Sequence, residues 1–403
     1  MFDVECDFQF DFHPVGQGLF YSGRVNGLNF VYDCGSDNYG SLLSAIEQYD
    51  LAKKLDLLII SHLHEDHIHG VKDLLKKTGG VKEVILPYLH PAERLMVAAS
   101  FAAARRLTSL SPDYIGFLAD PASLFGKDTR VTYVTRHQSE DPEPPDTVEA
   151  PKESGWIGKP ILSSGQRFPD MHKSSMRGTC HTDCDVWGNP FWRFRFFCQP
   201  GKKPKVDISK ALGMKEIQPA DIARIISNQL RKIKKVYLKA FGGSAGQNFT
   251  SLLCCHGPTS PNARLQTTIR GSHIWRHGHS PYGTVCECLP QSCNREYCTL
   301  LPLQMLTGDA EIRIGQGDYH KHFRSEFGKI GLFQIPHHGA KRNWRKKFLL
   351  DQPDCLLWVA SSSISNGHGH PSMTVAYDIF EAGKGLVWCN EANGLTMQGH
   401  CVT

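Results

Sequence analysis

The stretch SHLHEDHIHG, residues 61–70, gathers four histidines, an aspartate and a glutamate directly after the apolar run LDLLII. That run is typical of a buried strand, and a core cannot hold so many polar groups unless they have partners. His62, His64, Asp66 and His67 form the pattern H-x-H-x-D-H. Neutral imidazole and carboxylate are ligands for Zn²⁺, and also for Mn²⁺ or Fe²⁺. We therefore predict a metal site where this strand ends.

Length and composition fit a globular protein outside the membrane. The chain has 403 residues, 40% of them hydrophobic and 21% charged, which allows one large domain or several smaller ones. No apolar run approaches the roughly 18–20 residues that a membrane helix needs. The first residues, MFDVECDFQFDF, lack the basic-then-apolar order of a signal peptide. We expect a cytoplasmic protein without membrane contact, whose fourteen cysteines are reduced thiols or metal ligands.

Strand and helix patterns alternate on both sides of a less regular middle part. Short strands are predicted before residue 36 and helices at 41–55 and 92–110, and the C-terminal part again alternates between the two. This order is typical of an α/β protein with buried sheets. We predict an N-terminal half at 1–137, an inserted and partly basic segment at 138–240, and a C-terminal half at 241–403. A second insertion, rich in Cys and His, is predicted at about 257–298.

The motifs resemble those of the metallo-β-lactamase fold hydrolases, whose hallmark is H-x-H-x-D-H after a buried strand. Further motifs follow in the order of that family: HPVGQGLF and FVYDCGS with Asp33, LTGDA with Asp309, QIPHHGA with His337 and His338, and NGHGHPS with His368 and His370. The opening strand pair and the last motif are similar to the competence-type branch, the nuclease-like domain of ComEC-type DNA-uptake channels. The resemblance implies an α/β fold, an αββα four-layer sandwich, with two insertions.

The resemblance also implies a centre of two divalent ions, Zn or Mn, about 3.5–4 Å apart. The implied metal ligands are His62, His64, Asp66, His67, Asp309 and His338. His62 and His64 would bind the first ion, and Asp309 would bridge the two. Asp66 and His67 would bind the second ion together with His337 or His338, of which we favour His338.

Three residues are implied to take part in catalysis, namely Asp66, His337 and His370. We expect His337 to contact either a metal ligand or a substrate oxygen, and Asp33 to orient a histidine ligand by a hydrogen bond. One motif departs from the wider family, because the place of a further histidine ligand is filled by QNFTSLL. Asn248 is the candidate there, and an amide is a weaker ligand than imidazole. His256 or His181 would be the alternatives that complete the first site, while His69 lies outside the spacing and is expected in a loop.

Two cysteine clusters offer a structural zinc site, with free thiols as the alternative. Cys286, Cys288, Cys293 and Cys298 lie in the second predicted insertion, and structural zinc would tie down such a loop. Cys180, His181 and Cys184 form a weaker candidate. The GQG sequence at 16–18 lacks the lysine and helix of a phosphate-binding loop.

Basic residues concentrate in one segment, whereas the whole chain has a net charge of only +5. Between 201 and 240, eleven Lys or Arg stand against three Asp or Glu. The segment predicts an amphipathic helix with Ile222, Ile225, Ile226, Leu230, Ile233 and Leu238 on its apolar side. Its cations are either a solvated face or a phosphate-backbone contact. The predicted nucleic-acid contacts are Lys232, Lys234, Lys235, Lys341 and Arg342.

The function that these features favour is hydrolysis of a phosphodiester in DNA or RNA by metal-activated hydroxide. One alternative is a small-molecule hydrolase that acts on a phosphoester, lactone, thioester or amide. Another is a metal-binding interaction subunit with little turnover, for which the inserted segment would supply the surface that binds a partner protein. The basic segment favours the first function, and fold alone does not decide the chemistry.

Overall fold

A computed structural model provides the structure of the protein. It describes residues 4–50, 54–135, 179–182, 185–189, 191–200, 204–242, 250–260, 262–271, 274–275, 298–312 and 318–402. Within these ranges the chain forms two β-sheets and ten α-helices. None of the described helices is both long and apolar enough to cross a membrane.

The first sheet has ten strands in the order β13-β11-β18-β1-β2-β3-β4-β5-β6-β7. Their bounds are β1 (Val4–Phe12), β2 (Gly18–Val25), β3 (Leu28–Ser36), β4 (Leu55–Ile59), β5 (Val81–Pro87), β6 (Arg130–Thr135), β7 (Thr179–Thr182), β11 (Arg264–Gly271), β13 (Cys298–Leu300) and β18 (Leu395–Val402). Strands β3 to β7 pair in parallel, and the other pairs are antiparallel.

The second sheet has eight strands in the order β12-β17-β16-β15-β14-β10-β9-β8. Their bounds are β8 (Asp185–Asn189), β9 (Trp192–Pro200), β10 (Thr250–Pro258), β12 (Ile274–Trp275), β14 (Leu303–Leu306), β15 (Ile330–Gln334), β16 (Leu357–Ser361) and β17 (Gly385–Cys389). Strands β14 to β17 run parallel, so each sheet contains a parallel block whose carboxyl ends lie along one edge.

Helices cover the outer face of each sheet. Their bounds are α1 (Tyr39–Gln48), α2 (Glu65–Ile68), α3 (Val71–Thr78), α4 (Pro91–Ala104), α5 (Pro112–Ala119), α6 (Ile208–Leu212), α7 (Pro219–Phe241), α8 (Asp318–His322), α9 (Lys347–Asp351) and α10 (Met373–Glu381). Side chains of α1, α3, α4, α5 and α7 share one apolar core with the first sheet. Those of α8, α9 and α10 share another with the second sheet.

A third apolar core lies between the sheets and joins Phe10 and Phe30 of the first sheet to Phe194 and Leu332 of the second. Because side chains alternate along each strand, each sheet packs against its partner on one face and against helices on the other. The predicted α/β sandwich of four layers is therefore confirmed. Described parts of both predicted insertions belong to these layers, since β7 to β9, α7 and β11 are built into the sheets and the outer helices.

Two details differ from the sequence-based predictions. The helix predicted over 92–110 ends at Ala104, because Arg106 adopts a left-handed conformation with φ 56°, which does not continue a right-handed helix. In α7, Leu238 is exposed, whereas Val236 and Tyr237 are buried. The backbone at Gln229 is not helical, so the spacing of buried residues changes within α7. Beyond Gln229, Val236 and Tyr237 belong to the buried side of the helix, and Leu238 does not.

His256 lies in the core between the sheets and not in the metal site, which corrects one of the alternatives above. Trp192 donates its indole N–H to Nδ1 of His256 at 3.3 Å. Nε2 therefore carries the proton and donates to the Tyr21 hydroxyl at 3.0 Å, which in turn donates to Oε1 of Gln304 at 2.9 Å. Burial lowers the pKa of His256 to about 3, so the ring stays neutral in the folded protein.

This buried ring predicts a specific loss of stability in acid. Below its ordinary pKa of about 6.5, the unfolded chain binds a proton at His256 that the folded chain excludes down to about pH 3. Stability therefore falls as the pH drops through this window, by about 2 kcal/mol at pH 5 from this group. We expect His256→Gln to lose less stability than the wild type between pH 7 and pH 5 in urea unfolding.

The matched control is Tyr21→Phe, which removes a hydrogen bond to the ring but keeps the histidine. It should be less stable at both pH values and retain the full pH dependence of the wild type. Equal losses between pH 7 and pH 5 in the wild type and His256→Gln would contradict the assignment of this pH dependence to His256.

Candidate metal centre

The predicted ligands converge where the parallel blocks of both sheets end. His62 and His64 follow β4, and Asp66 and His67 lie in α2, the four-residue helix that comes next. The backbone of α2 lies against β3 because Gly35 has no side chain. A Cβ atom there would lie 2.4 Å from the Asp66 carbonyl oxygen, so glycine permits the close approach.

The second sheet supplies the remaining residues from the ends of its own parallel strands. Asp309 follows β14, and His337 and His338 follow β15 in a short 3-10 turn. The backbone N–H of Leu252 in β10 donates to the carbonyl of Ser61 at 2.6 Å, which joins the two sheets next to the site. The site is therefore built on strand ends, where the backbone is well fixed and side chains reach a common space.

Hydrogen bonds hold three of the histidines with Nε2 directed into the site. Nδ1 of His67 donates to Oδ2 of Asp33 at 2.7 Å, and Nδ1 of His338 donates to the Ser361 carbonyl at 2.8 Å. The Ser61 hydroxyl donates to Asp33 and accepts from Nδ1 of His62 at 2.9 Å. When such a ring carries a single proton, the Nδ1 hydrogen bond keeps that proton on Nδ1 and leaves Nε2 as a lone pair, which is the form that binds a metal ion.

Buried Nε2 atoms of His62, His64, His67 and His338 meet in one place. In the part of the chain that the structure describes, none of these four atoms has a hydrogen-bond partner. Such buried polar atoms call for a partner of another kind. A divalent cation is the partner that suits four imidazole lone pairs beside carboxylates.

Asp309 lies in the middle of this group. Its Oδ1 is 3.4 Å from Nε2 of His67 and 3.6 Å from Nε2 of His338, while its Oδ2 is 3.8 Å from Nε2 of His62. Atoms bound at about 2.0–2.2 Å to one tetrahedral ion lie about 3.3–3.6 Å apart, so the separations of Asp309 from His67 and His338 fit a shared cation. The central carboxylate also fits the bridging role that the family resemblance implies.

The ligand atoms of the site form two groups that share Asp66. Asp66, His67 and His338 offer atoms within 4.8 Å of one another, and so do His62, His64 and Asp66. Asp33 also lies within this distance of His62 and His67, but its carboxylate is engaged in the hydrogen bond to Nδ1 of His67. The residues present therefore fit a metal site, and Asp33 fits the predicted orienting role.

Electrostatics within the cluster favour a cation. Burial lowers the pKa of His64 to about 4 and that of His62 well below its usual value, so both rings are neutral. Burial acts to lower the pKa of His67 as well, but Asp33 and Asp309 raise it well above the ordinary value. Although burial acts to raise the pKa of Asp309, the surrounding histidines hold it well below its usual range. The lowered pKa of Asp309 means that its carboxylate is ionised next to the neutral rings of His62 and His64, and such a carboxylate favours a cation.

The two adjacent histidines after β15 occupy different positions. His338 is buried, and its Nε2 lies 3.9 Å from Oδ2 of Asp66, as expected of a ligand. His337 is partly exposed at the cleft, and its Nδ1 lies 3.0 Å from Oδ2 of Asp309. Both have positive φ, 50° and 59°, as does Asp33 with 55°. Such strained backbone is often found at functional sites.

A cleft of about 430 Å³ opens over the centre. Its lining includes His64, Asp66, Asp309, His337, His338, Arg105, Arg342, His368 and His370. Burial lowers the pKa of His370 to about 3, and nearby histidines act in the same direction, so this ring is neutral at ordinary pH. The structure therefore brings the predicted catalytic residues Asp66, His337 and His370 to one cleft.

Gln334, the last residue of β15, braces the turn that carries Asp309 and was missed by the sequence analysis. Its Oε1 accepts from the backbone N–H groups of Thr307 and Gly308 at 2.6 and 2.8 Å. Its Nε2 donates to the carbonyls of Gly308 and Ile335. A buried glutamine in an apolar strand directly before the QIPHHGA histidines is the signal that could have identified it.

Ser61 and Arg105 are two further residues that the sequence analysis missed. Ser61 links Asp33 to His62, and its place directly before the H-x-H-x-D-H motif could have identified it. Arg105 lies 3.6 Å from Oδ2 of Asp66, and a basic residue at a helix end gives no distinctive signal.

Several predicted residues lie outside the described part of the chain. Asn248, Cys286, Cys288, Cys293 and Cys184 are among them, so the amide ligand and both structural zinc sites stay predictions. Cys298 is described, and it is buried in β13 at the edge of the first sheet. Cys180 and His181 lie in β7, of which only the backbone is described.

The predicted nucleic-acid contacts lie on two surfaces. Lys341 and Arg342 are exposed just beyond His338, and Arg342 lines the cleft. On α7, the ammonium groups of Lys232 and Lys234 donate to the carbonyls of Leu212 and Leu107, and both Lys232 and Lys235 are exposed.

Comparison with known families supports the fold assignment. Residues 16–160, which include the H-x-H-x-D-H motif, match the family model described as Metallo-beta-lactamase superfamily. This match likens the N-terminal part of the chain to that superfamily, and the two-sheet architecture is consistent with its fold. The chain matches none of the curated proteins.

Solved structures give more distant likenesses. Human tRNase Z, short form, is 11% identical with a TM-score of 0.35, and the match covers 94% of this chain and 88% of that one. YhfI, a metallo-beta-lactamase fold protein from Bacillus subtilis, is 22% identical with a TM-score of 0.17, over 20% of this chain and 37% of that one. A long form RNase Z from yeast is 8% identical with a TM-score of 0.31, over 81% and 32%. At these TM-scores the likenesses carry no argument about fold or function.

The different positions of His337 and His338 predict different effects of their removal. His338→Ala should lower the metal content by about one ion per chain, because Nε2 of His338 is one of the buried ligand atoms. His337→Ala should keep its metal and lose turnover. Elemental analysis of the purified variants measures their metal content. His368→Ala, a change at another histidine of the cleft lining, is the control. Loss of metal in His337→Ala alone would reverse the assignment.

The brace at Gln334 predicts that stability and metal affinity change together. Gln334→Met leaves two buried N–H groups without their acceptor, at about 1–3 kcal/mol each, and releases the turn that carries Asp309. We expect a lower midpoint in urea unfolding and weaker metal binding in a competitive chelator titration.

The control is Gln304→Met, the same change at a buried glutamine of β14 that bonds to Tyr21 in the core between the sheets. It should lower stability while leaving metal affinity unchanged. If both variants bound metal as the wild type does, Gln334 would be a purely structural residue.

Proposed function

We propose that this protein is a metal-dependent hydrolase that cleaves phosphodiester bonds in DNA or RNA. The observation that carries the proposal is the meeting of four buried imidazole Nε2 atoms with the carboxylates of Asp66 and Asp309 beneath one cleft. The resemblance of the sequence motifs to the competence-type, ComEC-like nuclease branch agrees with it.

The proposed centre holds two divalent ions, Zn²⁺ or Mn²⁺. His62 and His64 would hold one ion, Asp66, His67 and His338 would hold the other, and Asp309 would serve both. Ions bound there would lower the pKa of a water molecule and stabilise charge on the attacked and leaving oxygens. Imidazole suits zinc, and carboxylate suits manganese, so the mixed set accepts either.

Residues of the chain itself position the substrate in this proposal. Asp309 orients the ring of His337 through Nδ1, so that the rest of the ring faces the open cleft. His370 is neutral and can donate or accept one hydrogen bond at a substrate oxygen. Such positioning, with charge stabilisation, supplies most of what phosphoryl chemistry requires of a protein.

The distribution of surface cations favours a nucleic acid. Arg231, Lys235 and Lys239 are exposed and four residues apart, so they lie along one side of α7 opposite its buried side. The middle of α7 lies next to the segment that follows α4, because Lys234 donates to the Leu107 carbonyl. A row of cations of this kind suits a phosphate backbone.

Hydrolysis of a small molecule is the second candidate, and the cleft itself favours it. Its volume of about 430 Å³ is within the range of pockets that enclose small ligands. A phosphoester, lactone or thioester would meet the same ligands and the same histidines. The two candidate functions therefore differ in one respect. A nucleic acid would also bind to the cations of α7, whereas a small molecule would bind in the cleft alone.

The test of the function uses purified protein loaded with Zn²⁺ or Mn²⁺. Plasmid, single-stranded DNA and RNA are the substrates, and a neutral ester and a short phosphodiester are the comparisons. We expect metal-dependent cleavage of at least one nucleic acid, abolished in His64→Ala. Hydrolysis of the neutral ester without binding or cleavage of any nucleic acid would establish the small-molecule candidate instead.

The row of cations on α7 predicts a salt effect. Replacing Arg231, Lys235 and Lys239 with glutamine should weaken nucleic-acid binding for all sequences alike. Each lost phosphate contact should flatten the slope of log K against log salt by about 0.9 for a duplex or 0.7 for a single strand. Filter binding at several salt concentrations measures the slope, and cleavage of the short phosphodiester should be unchanged.

The matched control replaces Lys127, Lys329 and Lys384 with glutamine. These lysines precede β6, β15 and β17 and therefore lie at the amino-terminal ends of the strands, whereas the site lies at the carboxyl ends. This variant removes the same charge and should keep the wild-type slope. An equal change of slope in both variants would show that net charge alone, and not the α7 surface, sets the salt dependence.

A further inference from the structure

Arg105 is a cation in the wall of the cleft to which the proposed function assigns no role. It follows the last residue of α4, and one of its guanidinium nitrogens lies 3.6 Å from Oδ2 of Asp66. The same nitrogen donates to Oδ1 of Asp37. The side chain of Arg105 is one-third exposed and lines the cleft, so a ligand that enters the cleft can reach it.

The guanidinium group is held from two sides by different elements. It lies over the ring of Phe101, 4.7 Å from the ring centroid, and Phe101 is buried one turn earlier in α4. Asp37, which follows β3, is fixed in turn because its backbone N–H donates to the Gln17 carbonyl at 2.7 Å. An arginine oriented in this way loses little further freedom when it binds a planar or tetrahedral anion.

Arg105 has N–H donors left for a ligand although two carboxylates lie next to it. The guanidinium of arginine is charged at every ordinary pH. Asp66 belongs to the proposed metal ligands, and Asp37 pairs with one nitrogen of the guanidinium. A guanidinium has five N–H donors, which allows it to keep Asp37 and still donate to a ligand oxygen.

We propose that Arg105, oriented by Asp37 and Phe101, binds a non-bridging phosphate oxygen of the substrate beside the metal centre. The proposal rests on the proposed function and specifies the substrate chemistry of that site, a phosphate oxyanion. Arginine matches such an oxyanion with two parallel hydrogen bonds, which lysine cannot reproduce. A neutral ester offers no such group, so Arg105 would select phosphodiesters over lactones and carboxylic esters.

The experiment compares Arg105→Gln and Arg105→Lys with Arg106→Gln in the metal-loaded protein. Arg106 is the matched control, because it is the exposed neighbouring arginine on the same turn and is not part of the cleft lining. Three quantities are measured: KM for bis(p-nitrophenyl) phosphate, the dissociation constant of inorganic phosphate by calorimetry, and the metal content.

We expect Arg105→Gln to raise both KM and the phosphate dissociation constant about 10- to 100-fold, as the loss of a charged hydrogen bond predicts. Arg105→Lys should retain part of the affinity, and Arg106→Gln should equal the wild type. Metal content should be unchanged in all three. If Arg105→Gln fails to fold, Arg105→Lys and its phosphate affinity decide the question.

Two outcomes separate this inference from the proposed function. If the wild type cleaves phosphodiesters and both Arg105 variants keep its KM and phosphate affinity, Arg105 does not bind phosphate, although the function stands. If the wild type cleaves no phosphodiester but binds phosphate through Arg105, the function is wrong and the inference stands.

A third outcome also overturns the inference. Loss of metal in Arg105→Gln with unchanged phosphate affinity would make Arg105 a positioning residue for Asp66. Parallel KM measurements on an oligonucleotide distinguish a nucleic-acid phosphate from a small phosphate ester as the source of the oxyanion. A rise in KM for the short diester alone would identify the small ester, and a rise for both would identify the nucleic acid.

Discussion

The carboxylate of Asp33 accepts three hydrogen bonds at the end of β3, from the backbone and hydroxyl of Ser61 and from Nδ1 of His67. Burial raises the pKa of Asp33, and these donors act in the opposite direction. Through them, one buried carboxylate fixes the chain after β4 and sets the proton positions on His67 and, through Ser61, on His62. The lone pairs directed into the site thus depend on a group that lies outside it.

In the second sheet, neutral groups fix the positions of Asp309 and His338. Gln334 holds the turn that carries Asp309 through two backbone N–H groups, and the Ser361 carbonyl sets the proton position on His338. Each half of the site is therefore braced within its own sheet, and the hydrogen bond from Leu252 to the Ser61 carbonyl joins the two halves beside the ligand atoms. The left-handed backbone at Asp33, His337 and His338 is strain that rigid strands on both sides can sustain.

How much of the site the sequence predicts depends on how far apart its residues lie in the chain. The first four ligands are local, so their spacing after an apolar strand predicts a metal site. Asp309 and His338 are some 240 residues further on, and only the resemblance to a known family linked them to the first group. His256 shows that sequence alone does not identify a distant ligand. It was a candidate for the first ion, but its ring packs in the core with Trp192 and Tyr21.

The layered fold was predictable for a different reason. Alternation of strands and helices follows from local periodicity, and the covering of both sheets by helices follows from the need to bury apolar faces. The end of α4 was not predictable in this way, because periodicity continues past Ala104 while the backbone at Arg106 turns away. That turn brings Arg105 into the wall of the cleft, where no sequence pattern indicates it.

The residues proposed for the chemistry and those proposed for substrate selection lie in different parts of this structure. The proposed metal ligands are almost all buried, and their geometry is set by hydrogen bonds within the two sheets. The cations of α7 and of the segment after His338 are at the surface, where exchange for another residue changes little in the fold. Arg105 shares features of both groups of residues. Its partners Asp37 and Phe101 hold it in place as the buried ligands are held, while its guanidinium reaches the open cleft. A single oriented cation next to a buried metal centre can therefore restrict the substrates of a chemistry that would otherwise accept many esters.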